Sequence, residues 1–452
     1  MPAAAFVASG LVATAAAVAG QGAPAGDART ADASLAADAR LFWLGATPEA
    51  RAGARDRLLA SGAPVDSLVA ALEADPSFPG DVERGRLDRS IRTTDGRVHP
   101  YTLLIPEGYT PDRGWPVLVY LHGGIGRAEW TRPGEWWRDY ERIADPERIV
   151  IVPASWRESM WWQESQIESL AAILARTGRE YRIDRDRVHL IGISDGATGV
   201  YYHAARAATP WASFLAFIGH PAVLSNPRLG VEGQMYVTNL RNRPLFVVNG
   251  GRDRLYPTSS VEPFIRLFSE NGVPLIYRPK PEAGHDLTWV GEEGARIDSF
   301  VVATPRDPLP DRLEWETEVS GGRFGWLVID EVGHVEGESD LPGRNELTVD
   351  GESERYLAFP HRLASGRAVI EREGNVVRVR TDGVAAFRLL VSPREFDLSR
   401  PITVEVNGRV RHDERVEPSA RTLLDRATAD RDPRMLFVTD VVIDLRDPPD
   451  AP

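Results

Sequence analysis

The sequence predicts an α/β protein, a mostly parallel sheet flanked by helices, with a C-terminal β-rich accessory domain. Two observations carry this. From about Arg86 to Ala303, short β-branched runs alternate with helical stretches, as strands joined by crossover helices do. After the Pro-rich stretch at residues 304–310 the texture changes to short β-prone runs such as Ala368-Val369-Ile370, Val376-Val377-Arg378-Val379 and Ile402-Thr403-Val404-Glu405-Val406, separated by Gly and Asp turns. At 452 residues the chain also exceeds what one ordinary core holds.

Taken in order, residues 1–20 form an alanine-rich apolar run ending in Ala17-Val18-Ala19, read as a signal peptide with a small-residue cleavage site that lacks the usual basic start. Residues 21–36 are rich in Gly, Ala and Asp and read as a flexible linker. Residues 37–85 carry apolar positions at helical spacing, broken at Ser61-Gly62-Ala63-Pro64, and form a helical N-terminal segment. Residues 86–303 form the α/β domain, 304–312 a Pro-rich linker and 313–452 the β-rich domain. The net charge of -13 argues against nucleic acid or an anionic membrane surface as partner, since either demands a clustered basic field. The absence of cysteine excludes thiol catalysis and cysteine-ligated zinc and suits an exported protein.

The chemistry lies in the middle region. Leu190-Ile191-Gly192-Ile193-Ser194-Asp195-Gly196 is a G-x-S-x-G between a short apolar strand and a helical run from Ala197 to Ala207. A bare G-x-S-x-G recurs by chance, so its context decides. Upstream, the apolar run Trp115-Pro116-Val117-Leu118-Val119-Tyr120-Leu121 opens into His122-Gly123-Gly124-Ile125-Gly126. There the main chain can approach a substrate, and the amides of Gly123, Gly124 and Asp195 are the candidate oxyanion donors. Downstream, a buried strand ends in Asn249-Gly250-Gly251-Arg252-Asp253, and another leads to Ala283-Gly284-His285-Asp286. The order Ser, Asp, His, each just past a strand, assigns Ser194 as nucleophile, His285 as general base and Asp253 as the acid that fixes the imidazole.

Competing residues are weaker. His122 belongs to the glycine loop, His189 lies within a strand, and His203 and His220 lack the Gly-His loop context. Asp286 adjoins the base along the chain and is poorly placed to bond it. Trp130, Trp136, Trp137, Trp156, Trp161 and Trp162 fall in segments that follow strands near the site. Of these, Trp161, Trp162 and Trp130 are the candidate substrate-binding residues, able to grip an aromatic acyl group, a sugar ring or a polymer. Helix packing is the competing role, above all for Trp137 and Trp161.

With these motifs in place, residues 95–303 resemble bacterial α/β-hydrolase esterases allied to the polyhydroxybutyrate-depolymerase-like, feruloyl-esterase-like and prolyl-oligopeptidase-like hydrolases. The stretch His99-Pro100-Tyr101-Thr102-Leu103-Leu104-Ile105-Pro106-Glu107-Gly108-Tyr109 is similar to that family's opening strand, and Asp397 to Gly408 is similar to a β-domain appended to some members. The resemblance implies an exported, periplasmic or extracellular serine carboxylesterase that works through an acyl-enzyme with no metal or organic cofactor. Its substrate would be a small-molecule or polymer-linked ester, aryl or carbohydrate-linked, with no nucleic acid partner and no membrane span in the mature chain. An exported oligopeptidase is the enzymatic alternative. A carbohydrate- or surface-binding protein with a degenerate hydrolase domain is the alternative of another class.

Overall fold

A computed structural model of the chain describes residues 25–229, 235–348, 355–361 and 363–446. The leader at residues 1–20 lies outside them. Three helices come first: α1 (Ala25–Leu44), α2 (Pro48–Ala60) and α3 (Val65–Glu73). The flexible linker expected at residues 21–36 is therefore helical from Ala25. Its alanines are the strongest helix formers, and they run without a break into a segment anchored by buried Ala39 and Phe42. Thr47 caps α2 by accepting from the Ala50 amide at 3.2 Å, with Pro48 in the first turn.

The central sheet contains β1 (Gly85–Arg92), β2 (Val98–Ile105), β3 (Trp115–Leu121), β4 (Ile149–Pro153), β5 (Ile183–Ile193), β6 (Ser213–Phe217), β7 (Leu245–Gly250) and β8 (Leu275–Lys280). Its spatial order is β1-β2-β4-β3-β5-β6-β7-β8. β1 and β2 run antiparallel to their neighbours and the rest pair in parallel. Helices α4 (Tyr140–Ile143), α5 (Glu164–Glu180), α6 (Asp195–Arg206), α7 (Thr258–Glu270) and α8 (Val290–Ala303) connect or follow these strands. Covered on both faces, β4, β6 and β7 are buried at every residue, which is why they read as unbroken apolar runs.

The C-terminal region holds a five-stranded sheet, β18-β17-β15-β14-β9, and a four-stranded one, β10-β11-β16-β19, beside the hairpin β12-β13. These are β9 (Arg312–Thr317), β10 (Gly322–Phe324), β11 (Leu327–Val332), β12 (Glu346–Thr348), β13 (Arg355–Leu357), β14 (Gly366–Glu373), β15 (Val376–Asp382), β16 (Val384–Val391), β17 (Ile402–Val406), β18 (Arg409–Glu414) and β19 (Thr439–Asp444), with α9 (Ala420–Asp430) before the last. Their apolar faces join the central sheet in one continuous core that runs from Tyr101 to Leu445.

Residues 304–312, expected as a linker, are pinned in place. Arg306 is buried between Asp186 (2.9 Å) and Asp432 (2.7 Å), and Leu309 is buried in the shared core. A Pro-rich composition stiffens a segment as well as it loosens one, and here the flanking core decides. The helical preface packs on Leu423, Leu424 and Ala427 of α9 and lies beside the start of β5, where Tyr181 donates to the Glu83 carbonyl at 2.8 Å. β5 spans 11 residues, about 35 Å at the usual rise per residue, so the preface sits at the end of the sheet away from Ser194.

Candidate active site

Ser194 lies between β5 and α6 with φ 57° and ψ -119°, a conformation that costs a non-glycine residue about 1–3 kcal/mol. The neighbouring glycines permit this turn. A Cβ on Gly192 would stand 2.1 Å from the Gly196 carbonyl oxygen, and one on Gly196 would stand 2.0 Å from the Leu121 carbonyl oxygen. The helix therefore abuts the β3 terminus, and the serine hydroxyl projects at the carboxyl edge of the sheet. On the adjacent strand end Ile218, a β-branched residue, also adopts a positive φ of 49°. Its amide donates to the Val248 carbonyl at 2.7 Å, while the Phe217 carbonyl accepts from the Ser194 amide at 2.9 Å.

The structure brings the three expected side chains together. The Ser194 hydroxyl donates to His285 Nε2 at 2.9 Å, and His285 Nδ1 donates to Asp253 Oδ2 at 2.7 Å. The Asp253 side chain is fully buried, whereas that of His285 is 26% exposed, so the imidazole has access to solvent or substrate while its partner does not. Asp253 Oδ1 accepts from the amides of Leu255 (2.8 Å) and Tyr256 (3.0 Å), which fixes the carboxylate's orientation. The Tyr256 ring packs edge-on to His285 at 5.8 Å.

Gly123 adjoins the nucleophile so closely that a Cβ there would lie 2.8 Å from the Ser194 Cβ, and Gly124 has a φ of 68°. Asp195 opens α6, so its amide has no acceptor within the helix. Its carboxylate acts separately, because Oδ2 accepts from the Ile125 amide at 3.0 Å and so ties the glycine loop to the elbow. Sequence reasoning gave Asp195 a backbone role alone and assigned none to Tyr256. An Asp directly after the serine is the one trace of the former in the sequence.

The competing histidines are structural. His122 Nδ1 donates to the Gly123 carbonyl at 2.8 Å and Nε2 accepts from the Ser155 amide at 3.0 Å; burial holds it neutral, down to about 4. His203 Nε2 donates to the Trp161 carbonyl at 3.1 Å and is likewise pushed by burial to about 4. His189 bonds Ser213 within the sheet, and His220 accepts from the Ala222 amide. The Asp286 carboxylate is engaged by Thr288.

The tryptophan expectation is corrected for Trp161 and Trp162. Trp161 has no exposed surface and donates to the His122 carbonyl at 2.9 Å, so it braces the glycine loop and offers no face to a ligand. Trp162 is buried and bonded to the Leu229 carbonyl; Trp130 is half-buried under Arg127 and bonded to the Ser155 carbonyl. Indole burial here follows from the segments folding back over β3 and β4, which spacing along the chain does not reveal. Among the described residues one trio, His334, Glu338 and Asp382, groups metal-ligating atoms, on the β-rich region, and no described helix is long and apolar enough to cross a membrane.

Strand order and elbow define the α/β-hydrolase fold, and the constellation at its carboxyl edge is that of the serine hydrolases of this fold. No family model matches the chain. It is 25% identical over 177 residues to the bifunctional acetylxylan esterase/xylanase XynS20E of Neocallimastix patriciarum, matching 38% of this chain and about a quarter (24%) of that protein's length. Similar solved structures include a thermostable esterase (17% identity, 49% of this chain and 63% of that one, TM-score 0.38) and a ferulic acid esterase (16%, 48% and 97%, 0.38). A puromycin hydrolase is similar at 18% identity over 51% of this chain and 41% of its own, with a TM-score of 0.41.

Proposed function

We propose that the protein is an exported serine carboxylic-ester hydrolase. The observation that carries this reading is the continuous hydrogen-bonded line from Ser194 Oγ through His285 to buried Asp253. Ser194 Oγ attacks the ester carbonyl carbon as His285 Nε2 takes its proton, and the carbonyl oxygen gains the negative charge. Amides of the Gly123-Gly124 turn and of Asp195 stabilise that charge, each donor contributing about 10²–10³ in turnover. His285 then passes the proton to the departing alcohol, leaving Ser194 acylated. Water repeats the sequence in reverse and frees the acid.

Exposed Leu255 and Leu287, two residues beyond the acid and the base, with half-buried Tyr256, support an ester whose acyl or aryl part is apolar. The β-rich region forms two small sheets and a hairpin with no ring of blades around the triad among the described residues, which favours an ester over a gated peptide. The test is turnover of aryl acetate, aryl butyrate, feruloyl ester, acetylated xylan and a dipeptide anilide by the full chain beside Ser194→Ala. Ester turnover that falls by about 10⁶ in the variant is expected. Turnover of the anilide alone would establish a peptidase, and turnover that survives Ser194→Ala would refute the mechanism.

A further inference from the structure

A recess of about 300 Å³ lies where α1 and α2, the end of α5 and the end of α9 meet, at the far end of the sheet from Ser194. One wall is aromatic, formed by Phe42, Trp43 and Phe78; the other carries guanidinium groups. Two of these are neutralised: Arg55 pairs with Asp56 and Asp425, and Arg182 pairs with Asp75. Asp432 acts on Arg185.

Arg51, Arg179 and Arg431 have no such partner among the described residues. Arg51 donates to the Gly45 carbonyl, a neutral acceptor, and Glu49 acts on it from an exposed position. Glu180, the acid acting on Arg179, is already held by Arg89 and Arg176. Arg431 occupies the left-handed cap of α9 at φ 53°, where glycine is usual. The three repel one another: burial first, then Arg51 and Arg431, pushes Arg179 down to about 10. The carboxyl ends of α5 and α9 offset part of this charge, but a helix end supplies only about half an elementary charge. The fold thus holds mutually repelling cations around a space large enough for a ring-sized molecule, beside an apolar wall.

We propose that this recess is a binding site for a small organic oxyanion, a carboxylate or phosphate monoester on an apolar ring or chain. The acid group is held by Arg51, Arg179 and Arg431, whose planar forks match either oxyanion, and the apolar body lies on the Phe42, Trp43 and Phe78 wall. The site is separate from the triad and does not depend on the ester reading.

The test is calorimetric titration of the full-length Ser194→Ala chain with benzoate, phenyl phosphate and inorganic phosphate, repeated with Arg179→Ala/Arg431→Ala added. One-to-one saturation by benzoate or phenyl phosphate, weakened about tenfold or more by the arginine substitutions, is expected. In a chain with Ser194 restored, the same arginine substitutions leave ester turnover within about twofold, because they lie at the opposite end of the sheet. Thermal unfolding keeps the proposal testable if calorimetric heats are small: the probes raise the Tm of the parent and not of the arginine variant. Three results would overturn it: no saturation at ~20 mM by a chain that still unfolds cooperatively, binding that survives the substitutions, or inorganic phosphate binding as tightly as phenyl phosphate.

Discussion

The two ends of α6 are held in opposite ways. At its start, Ser194 sits in a strained turn and is bound into the triad by one hydroxyl-to-imidazole bond and one imidazole-to-carboxylate bond. At its end, Arg206 donates through both terminal nitrogens to Glu318 at 2.5 Å, and Glu318 also accepts from the Tyr236 hydroxyl at 3.0 Å. Around that pair, Asn239 and Asn242 bond the main chain of Glu316 and Glu314 on β9, and Arg241 and Arg367 converge on the Glu314 carboxylate. In the proposed reaction a proton moves at the first end, and the two bonds there lie along its path. The second end joins the β-rich region to the central sheet with overlapping contacts that the reaction does not use.

That contrast is tested most severely at the acid. In Asp253→Asn the amides of Leu255 and Tyr256 still demand an oxygen, so the side-chain NH₂ is turned toward His285 Nδ1. The imidazole must then carry its proton on Nε2 and cannot accept from Ser194. Turnover is expected to fall by about 10⁴ while the unfolding midpoint stays near that of the parent. A variant that lost both in parallel would make Asp253 a structural residue first.

The seam should respond in the reverse sense. Glu318→Gln removes the carboxylate that the largely buried Arg206 guanidinium grips, and breaking a buried ion pair typically costs about 3–5 kcal/mol. Urea unfolding should show a lower midpoint at unchanged slope, with turnover per folded molecule within about twofold of the parent. A fall in turnover at unchanged stability would show that the seam transmits its state along α6 to the elbow.

The two ends also differed in how far the sequence revealed them. The triad was legible because each member follows a strand within a short motif, and the glycines that flank Ser194 are required by main-chain contacts under 3 Å, that of Gly192 being with Gly196 itself. The seam was not, since Asn239, Asn242 and Arg206 lie 72 to 112 residues from their partners on and beside β9 and no local pattern marks them. The same limit explains Trp161: its segment is apolar enough to border a site, but only the path back over β3 determines that its indole nitrogen faces the His122 carbonyl. Residues 25–36 were misjudged for a different reason, because alanine favours helix wherever the chain supplies a core to anchor it.

Three buried histidines in and around the central sheet predict an acid limit on stability. Burial lowers His122 and His203 to about 4 and His189 to about 3, from an ordinary value near 6.5. Between pH 6.5 and about 4 the unfolded chain binds protons at these positions and the folded chain does not, so stability is complete above 6.5 and declines as the pH falls. Each group contributes on the order of 1 kcal/mol per pH unit within that window. Unfolding free energy measured at pH 7.5 and 5.5 should therefore drop by roughly 3 kcal/mol in total. His189→Gln, which cannot titrate, should reduce that dependence. An equal dependence in the variant would show that His189 does not contribute to the acid sensitivity.

The smallest expected effect probes the link between the elbow and the glycine loop. Asp195→Ala keeps the backbone amide proposed as an oxyanion donor but removes the acceptor for the Ile125 amide, so the Gly123-Gly124 turn loses its tie to the residue after Ser194. A loop displaced by a fraction of an ångström weakens donors whose value depends on position, and kcat is expected to fall about 10- to 100-fold with KM nearly unchanged. Asp195→Asn retains an oxygen that can accept from Ile125 and should recover most of that loss. If Asn proves as impaired as Ala, the carboxylate charge matters more than its hydrogen bond. The catalytic end would then depend on an electrostatic contact of the kind that otherwise belongs to the seam.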